Sequence, residues 1–312
     1  MPRRVWIAIF LALVFTLPAS LGFIIAENSR NAHLLGDPID SLNLKTPHKS
    51  PEHILDDLGF VPQDIKRNVP VPRVYLTSMP GSLNELPVAQ NKRLFTATIL
   101  PLILYSNELI TDDRKKLEEL HDRFQQNLRF SPHQIDWLKQ MLRAYRVRLN
   151  NPLSQKAFDE LLLRVDTIPP SLALAQAAIE SGWGTSRFVQ QGNAIYGQLS
   201  WDDADDGIVP EQRDEGKTHK IKAFEHLLAS VRAYSRNLNT HKAYQQFRLM
   251  RAHARHANED VSGQLLVHGL IDYSERKELY VEELEQIIRV NRFARYDEAS
   301  LTPKWWNAGN AP

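Results

Sequence analysis

The segment from Ser171 to Gly184 constrains the fold of this chain more than any other. Its apolar residues recur at three- and four-residue spacing, so Leu172, Ala175 and Ile179 share one helix face. Further leucines and alanines flank that face. A helix that is apolar around most of its circumference has to be buried. The sequence therefore predicts a central helix that begins at Leu172, with Ser171 as its N-cap.

A single carboxyl interrupts this helix in its last turn. Glu180 precedes Gly182, which can end the helix in the left-handed conformation. The dipole at a helix C-terminus and desolvation beside Trp183 both raise the pKa of a carboxyl. A raised pKa keeps the group protonated near neutral pH, as a general acid requires. An ordinary ion pair between Glu180 and Arg187 is the alternative that periodicity alone leaves open.

The residues that follow are of kinds that bind carbohydrate. Gly182 and Gly184 flank Trp183, so the backbone on both sides of the indole ring carries no side chains. A dozen residues further on, the run GNAIYGQ adds the amide of Asn193 and the ring of Tyr196. Flat sugar rings can lie against such surfaces. The pattern indicates a carbohydrate cleft, with Trp183, Gly182, Asn193 and Tyr196 as candidate substrate-binding residues.

Composition and charge exclude several other classes of protein. The 312 residues are 43% hydrophobic, and 38 Lys and Arg nearly cancel 37 Asp and Glu. This chain folds, and it has no large positive field to hold a nucleic acid. It contains no cysteine, which removes disulfides, thiolate catalysis and cysteine-ligated metals. His253 and His256 are spaced to share a helix face, but no third ligand accompanies them, so we expect neither a metal nor a cofactor.

The N-terminus has the layout of an export segment. Arg3 and Arg4 precede an uncharged run of 22 residues, from Val5 to Ala26. Small and turn-forming residues near its end are typical of a cleaved secretory signal peptide, while its length also suits a retained membrane anchor. A buried core helix is the third interpretation of this run. The first two place the rest of the chain in the cell envelope, periplasmic or secreted, with residues 5–26 as the candidate inner-membrane attachment.

The rest of the chain divides by proline content and helical period. Residues 27–90 hold eight of the 18 prolines, which favours an extended spacer with a short helix near 52–58 and a strand near 71–76. Helical periodicity then predicts helices at 94–109, 111–128, 131–145 and 154–164. The expected organisation is a signal or anchor at 1–26, a spacer at 27–90, a helical part at 91–150, a catalytic domain at 151–298 and a flexible tail at 299–312.

Three longer stretches resemble a known family. ALAQAAIESGWGTSRF followed by GNAIYGQ is similar to the signature of bacterial cell-wall glucosaminidases, of the glycoside hydrolase family 73 type. AFEHLLASVRAYSRNLNTHKAY and YSERKELYVEELEQIIRVN continue the resemblance, which spans about residues 91–297. It implies an α+β, predominantly helical, lysozyme-like domain with a small β-lobe or hairpin beside the cleft. It also implies an endo-β-N-acetylglucosaminidase that cleaves β-1,4 bonds of the peptidoglycan glycan strand.

The resemblance also implies roles for individual residues. Glu180 corresponds to the general acid, and Tyr244 to a tyrosine that lines the cleft. The second catalytic group of relatives lies on a variable hairpin, here residues 201–224, where Glu211 is favoured and Glu215 is next. The 2-acetamido group of the substrate could replace it, and the spacing of the two carboxyls decides between inversion and retention.

Two other functions remain compatible with this sequence. A lytic transglycosylase also needs one catalytic acid in a lysozyme-like domain. A non-catalytic peptidoglycan-binding scaffold could keep the fold without turnover. In each case the expected partner is the peptidoglycan glycan strand, and the expected oligomeric state is a monomer.

Overall fold

The structure is a computed structural model that describes residues 44–45, 51–59, 62, 70–202, 204, 206–210 and 219–303. Three predictions lie outside these residues: the export segment at 1–26, the two hairpin carboxyls Glu211 and Glu215, and the end of the tail from residue 304.

The described residues are mainly helical. Ten α-helices follow one another in the described part of the chain: α1 (Pro51–Leu58), α2 (Val88–Gln125), α3 (Pro132–Ala144), α4 (Gln155–Arg164), α5 (Pro170–Ser181), α6 (Arg187–Gly192), α7 (Leu227–Thr240), α8 (Gln245–His256), α9 (Gly263–Leu266) and α10 (Glu278–Val290). Short 3-10 helices lie at Gly81–Glu85, Lys242–Tyr244, Val267–Leu270 and Phe293–Tyr296.

Two small sheets complete the fold. Strands β1 (Leu44–Lys45) and β2 (Tyr75–Leu76) pair in parallel. Strands β3 (Leu199–Ser200), β4 (Gly207–Ile208) and β5 (Lys220–Lys222) form an antiparallel sheet in the order β3-β5-β4. This sheet is the predicted β-lobe, and it follows α5 and α6 directly in the chain. The expectation of a predominantly helical α+β fold is confirmed.

Helix α2 is one continuous helix of 38 residues, so the break predicted after residue 109 is wrong. The Thr-Asp-Asp run does not cap a new helix, because the Thr111 hydroxyl donates back to the carbonyl of Asn107. The first half of α2, from Leu94 to Leu109, packs into the main core, and the second half packs with α3 and α4. By length and composition α2 could cross a membrane, but 83% of its most apolar window is buried inside the protein.

The described part of the expected spacer is packed rather than extended. Ile54, Leu58, Tyr75 and Leu83 are buried in the main core, although the segment is rich in proline. The start of the expected flexible tail is also held, because Val71 donates to Ser300 and Thr302 donates back to Val71. Apolar residues of both segments, such as Ile54 and Leu301, belong to the main core, which proline content does not indicate.

Helix α5 lies at the centre of the main core, as predicted, but it begins two residues early. Pro170 occupies its first position, where a missing N–H is harmless. Ser171 therefore does not cap the helix. Its N–H and hydroxyl donate to the two carboxylate oxygens of Asp297, at 2.8 and 2.7 Å. The cap comes from a residue 126 positions away, which a local pattern could not indicate.

Candidate active site

The C-terminus of α5 has the geometry that the sequence predicts. Gly182 is left-handed, with φ 57° and ψ 47°, and its N–H bonds to the carbonyls of Ala178 and Ile179. The N–H of Trp183 then donates to Ala178 at 2.8 Å, which completes the helix end. This early stop leaves Glu180 in the last turn, half-buried, at the edge of the core.

The carboxyl of Glu180 lies in an environment that favours its neutral form. The pKa of Glu180 is raised to about 7, mainly by burial and also by the charge of Glu283, while a hydrogen bond from Tyr280 and the charge of Arg276 oppose the rise. The Tyr280 hydroxyl donates to Oε1 of Glu180 at 2.8 Å. Arg187, the ion-pair partner considered for Glu180, donates to the carbonyl of Val209 on the sheet side.

Five tyrosines form the wall around this carboxyl. Tyr196 stacks on Tyr234 with ring centroids 3.8 Å apart, and Tyr273 stacks on Tyr280 at 5.4 Å. Tyr244 lies against Tyr273 at 5.6 Å. Burial raises the pKa of all five hydroxyls, so these groups are neutral at physiological pH. Glu180 therefore has polar but uncharged neighbours along this wall.

A second polar side chain of α5 belongs to the same cluster. Gln176 is fully buried one turn before Glu180. Its amide nitrogen donates to the Tyr280 hydroxyl at 3.1 Å, and its amide oxygen accepts from Tyr234 at 2.7 Å. The other oxygen of Glu180, Oε2, faces Gly197, where an added Cβ would lie 4.0 Å away. The carboxyl is thus bonded on one side and bordered by bare backbone on the other.

The predicted substrate-binding residues divide into two groups. Tyr196 and Tyr244 are brought into the wall around Glu180, but their rings are largely buried. Trp183 packs edge-on against Phe95, with the ammonium of Lys92 over its ring at 4.4 Å. The amide of Asn193 donates to two carbonyls of the turn before α7, which ties this turn to the end of α6.

Glu283 is a described carboxylate that acts on Glu180 by its charge. It is paired with Arg276 at 2.7 Å, and both side chains are about one third exposed. Glu211 and Glu215, the carboxyls favoured for the second role, lie between β4 and β5 and outside the described residues. Within the described ranges, no group of three or more histidine and acidic residues is placed to hold a metal ion.

Sequence reasoning missed four members of the site: Gln176, Tyr234, Tyr273 and Tyr280. Gln176 did carry a signal, since it is the one polar residue between Leu172 and Ile179 and lies four positions before Glu180. Tyr280 had none, because it reaches Glu180 from a helix 100 positions away.

Comparisons with known proteins found similar sequences and a similar structure. A family model described as glucosaminidase, mannosyl-glycoprotein endo-beta-N-acetylglucosaminidase, matches residues 155–293. Protein bax of Escherichia coli (strain K12) is 33% identical over 189 residues, which are 61% of this chain and 65% of that protein. The catalytic domain of the autolysin Auto from Listeria monocytogenes is 17% identical, covers 58% of this chain and 97% of that domain, and has a TM-score of 0.33. The family match includes Glu180, its tyrosine wall and the small sheet, and it confirms the resemblance seen in the sequence. Residues 155–293 of this chain match the glucosaminidase family model, and the chain is similar to Protein bax.

Proposed function

We propose that this chain is a peptidoglycan hydrolase that cleaves β-1,4 glycosidic bonds of the glycan strand as an endo-β-N-acetylglucosaminidase. The observation that carries the proposal is the carboxyl of Glu180, whose pKa is raised to about 7 at the end of a buried helix. A carboxyl of this kind is still largely protonated near neutral pH and can donate its proton. The glucosaminidase-family match over residues 155–293 supports the choice of substrate.

Glu180 acts as the general acid in this mechanism. It protonates the glycosidic oxygen that leaves from the reducing side of N-acetylglucosamine. A second carboxylate then activates water or attacks the sugar. Glu211 is our first assignment for that role and Glu215 the second, and the 2-acetamido group of the substrate is the alternative. Glu283 is disfavoured, because its ion pair with Arg276 already engages it.

The substrate is held by contacts other than net charge. The bare backbone at Gly197 borders Oε2 of the carboxyl, Gly182 and Trp183 follow Glu180 at the end of α5, and a neutral glycan suits such a surface. Tyr196 and Tyr244 pack against the other tyrosines of the wall, and Asn193 holds the turn before α7 by hydrogen bonds. The location that follows is the cell envelope, with residues 5–26 as signal or inner-membrane anchor and the chain as a monomer.

The test is product analysis with the full-length protein. Purified peptidoglycan is incubated with the wild type and with Glu180→Gln, and the released fragments are reduced with borohydride and examined by mass spectrometry. We expect reduced N-acetylglucosamine ends from the wild type and almost none from the variant.

Other products would identify another function. Ends of 1,6-anhydromuramic acid would show a lytic transglycosylase, and reduced muramic acid ends would show cleavage of the other bond. Co-sedimentation with sacculi without any release of fragments would show a non-catalytic scaffold.

A further inference from the structure

The hydrogen bonds behind Glu180 all run in one direction. The Tyr234 hydroxyl donates to Gln176, Gln176 donates to Tyr280, and Tyr280 donates to Oε1 of Glu180. A tyrosine hydroxyl has one hydrogen to donate. Tyr280 can donate this hydrogen to Glu180 only if the other neighbour of its oxygen is a donor and does not compete for the hydrogen as an acceptor. The amide nitrogen of Gln176 supplies that donor.

The two distances at Gln176 support this orientation of its amide. The contact between Tyr234 and the amide is 2.7 Å, the usual length of an O–H···O bond. The contact between the amide and Tyr280 is 3.1 Å, within the range of N–H···O bonds. A flipped amide would reverse the relay, and Tyr280 would then accept a hydrogen from Glu180 rather than donate one.

This direction decides which oxygen of Glu180 carries the acidic proton. Oε1 accepts from Tyr280, so in the neutral carboxyl the proton lies on Oε2. Oε2 faces Gly197, where the absence of a side chain leaves space beside the oxygen. A leaving-group oxygen that enters this space would meet the proton directly, while a proton on Oε1 would point into the tyrosine wall.

We propose that Tyr280 is a positioning residue, held by Gln176 and Tyr234, that keeps the proton of Glu180 on Oε2 and toward Gly197. This inference rests on the proposed function, because it assigns the roles of residues behind the general acid. The relay is almost fully buried, so bulk water does not compete for its hydrogen bonds.

Other groups also act on Glu180 and stay in place when the relay is changed. Glu283 and Arg276 act from the α10 side, and Tyr244 and Tyr273 face the carboxyl from the wall. The hydrogen bond from Tyr280 lowers the pKa of Glu180, since it stabilises the ionised form. Removal of this hydrogen bond must therefore raise the pKa of Glu180. A loss of packing alone does not shift the pKa in a defined direction.

The experiment measures the pH dependence of kcat and kcat/KM on soluble glycan fragments with full-length variants. In Tyr280→Phe we expect kcat to fall severalfold with KM unchanged, and the alkaline limb to move up by about one pH unit. Gln176→Met should move the alkaline limb in the same direction by a smaller amount than Tyr280→Phe. Tyr234→Phe should give the smallest shift of the three. Tyr296→Phe is the matched control, because its buried hydroxyl donates to the carbonyl of Pro62, away from Glu180.

A second measurement does not depend on turnover. In protein labelled with ¹³C at the glutamate carboxyl, the Glu180 signal is assigned by its loss in Glu180→Gln and titrated in each variant. An upward shift in Tyr280→Phe and none in Tyr296→Phe is the expected result. Equal titrations in wild type, Tyr280→Phe and Gln176→Met would overturn the relay even if the wild type is fully active.

The two proposals can therefore fail separately. If the wild type releases no fragments, the proposed function fails, and the titration still decides whether Tyr280 controls Glu180. If Tyr280→Phe does not fold, as judged by circular dichroism, Gln176→Met and Tyr234→Phe carry the test, and an unchanged titration in both contradicts it.

Discussion

A buried carboxyl before α5 and a half-buried carboxyl in the last turn of α5 have opposite surroundings. Asp166 precedes the helix by four residues and Glu180 lies in its last turn. Arg255 donates to both oxygens of Asp166, at 2.6 and 2.5 Å, and Arg251 and Arg114 approach to 3.5 Å. Glu180 receives a hydrogen bond from the neutral hydroxyl of Tyr280.

The difference shows that burial does not decide the charge of a carboxyl by itself. Burial would raise the pKa of Asp166, but the charges of Arg251 and Arg114 and the hydrogen bonds and charge of Arg255 outweigh it and hold that pKa below its ordinary value. Burial raises the pKa of Glu180 to about 7, because none of the guanidiniums in the described residues is bonded to its carboxyl. Asp166 is therefore an anion that contacts arginines of two helices, α2 and α8, whereas the carboxyl of Glu180 is still partly protonated near pH 7.

Glu180→Gln gives the largest expected change. The amide keeps the shape of the neutral carboxyl but cannot donate its proton, so the rate of glycan cleavage should fall by about 10²- to 10⁴-fold. Reducing-end assays measure the rate, and urea unfolding at pH 4, below the ordinary pKa of 4.5, checks that stability is unchanged. Glu160→Gln, which only breaks an i,i+4 pair with Arg164, is the control with unchanged activity. A loss of activity in both variants would remove the special role of Glu180.

Asp166→Asn should act on stability instead. It leaves the fully buried Arg251 without its counter-charge, which costs about 3–5 kcal/mol of unfolding free energy. Urea unfolding at pH 7 measures the loss, and the activity of the remaining folded protein should be normal. Asp136→Asn, at an exposed pair with Lys139, should change stability by less than about 0.5 kcal/mol. An equally small loss of stability in Asp166→Asn and Asp136→Asn would show that Asp166 is not needed to balance the charge of Arg251.

The pH dependence of stability gives a third test, and the two carboxyls should have opposite signs. The pKa of Glu180 is raised to about 7, so its contribution to stability is complete below the ordinary value of 4.5 and is lost as pH rises through 7. The pKa of Asp166 is lowered, so its contribution is present above the ordinary value and is lost as pH falls through the lowered pKa.

Urea unfolding from pH 4.5 to 8 measures the effect at Glu180. Glu180→Gln should match the wild type at pH 4.5 and become more stable than it by about 2–3 kcal/mol at pH 8. Asp113, whose pKa burial also raises to about 7, titrates in both proteins and cancels in the difference. A constant difference across this range would show that Glu180 titrates at its ordinary pKa.

Gly182→Ala should give the smallest effect. A left-handed residue with a Cβ costs about 1 kcal/mol, and the helix end that places Glu180 would loosen. Thermal unfolding measures the loss, together with a modest fall in activity. Gly81→Ala is the control, because an added Cβ there meets only one side chain, at 4.0 Å. Equal results would mean that the left-handed end of α5 does not matter to the site.

The local features of this site could be predicted, and its distant ones could not. Gly182 ends α5 as expected, since a glycine after an apolar helix is a signal confined to a few residues. The N-cap assigned to Ser171 was wrong, because Asp297 reaches it from the end of the chain. The break predicted in α2 was also wrong, because the helix joins two cores and its polar Thr-Asp-Asp run lies between them.

The sequence by itself determined that a carboxyl would lie at the end of a buried helix, since periodicity and the helix stop are encoded within a dozen residues. It also indicated the glucosaminidase family through the run that contains Glu180. Only the tertiary structure decided that Glu180 faces tyrosines while Asp166 faces arginines. The physical reason is that a pKa depends on which groups lie within a few ångströms, and those groups come from helices up to 100 residues away.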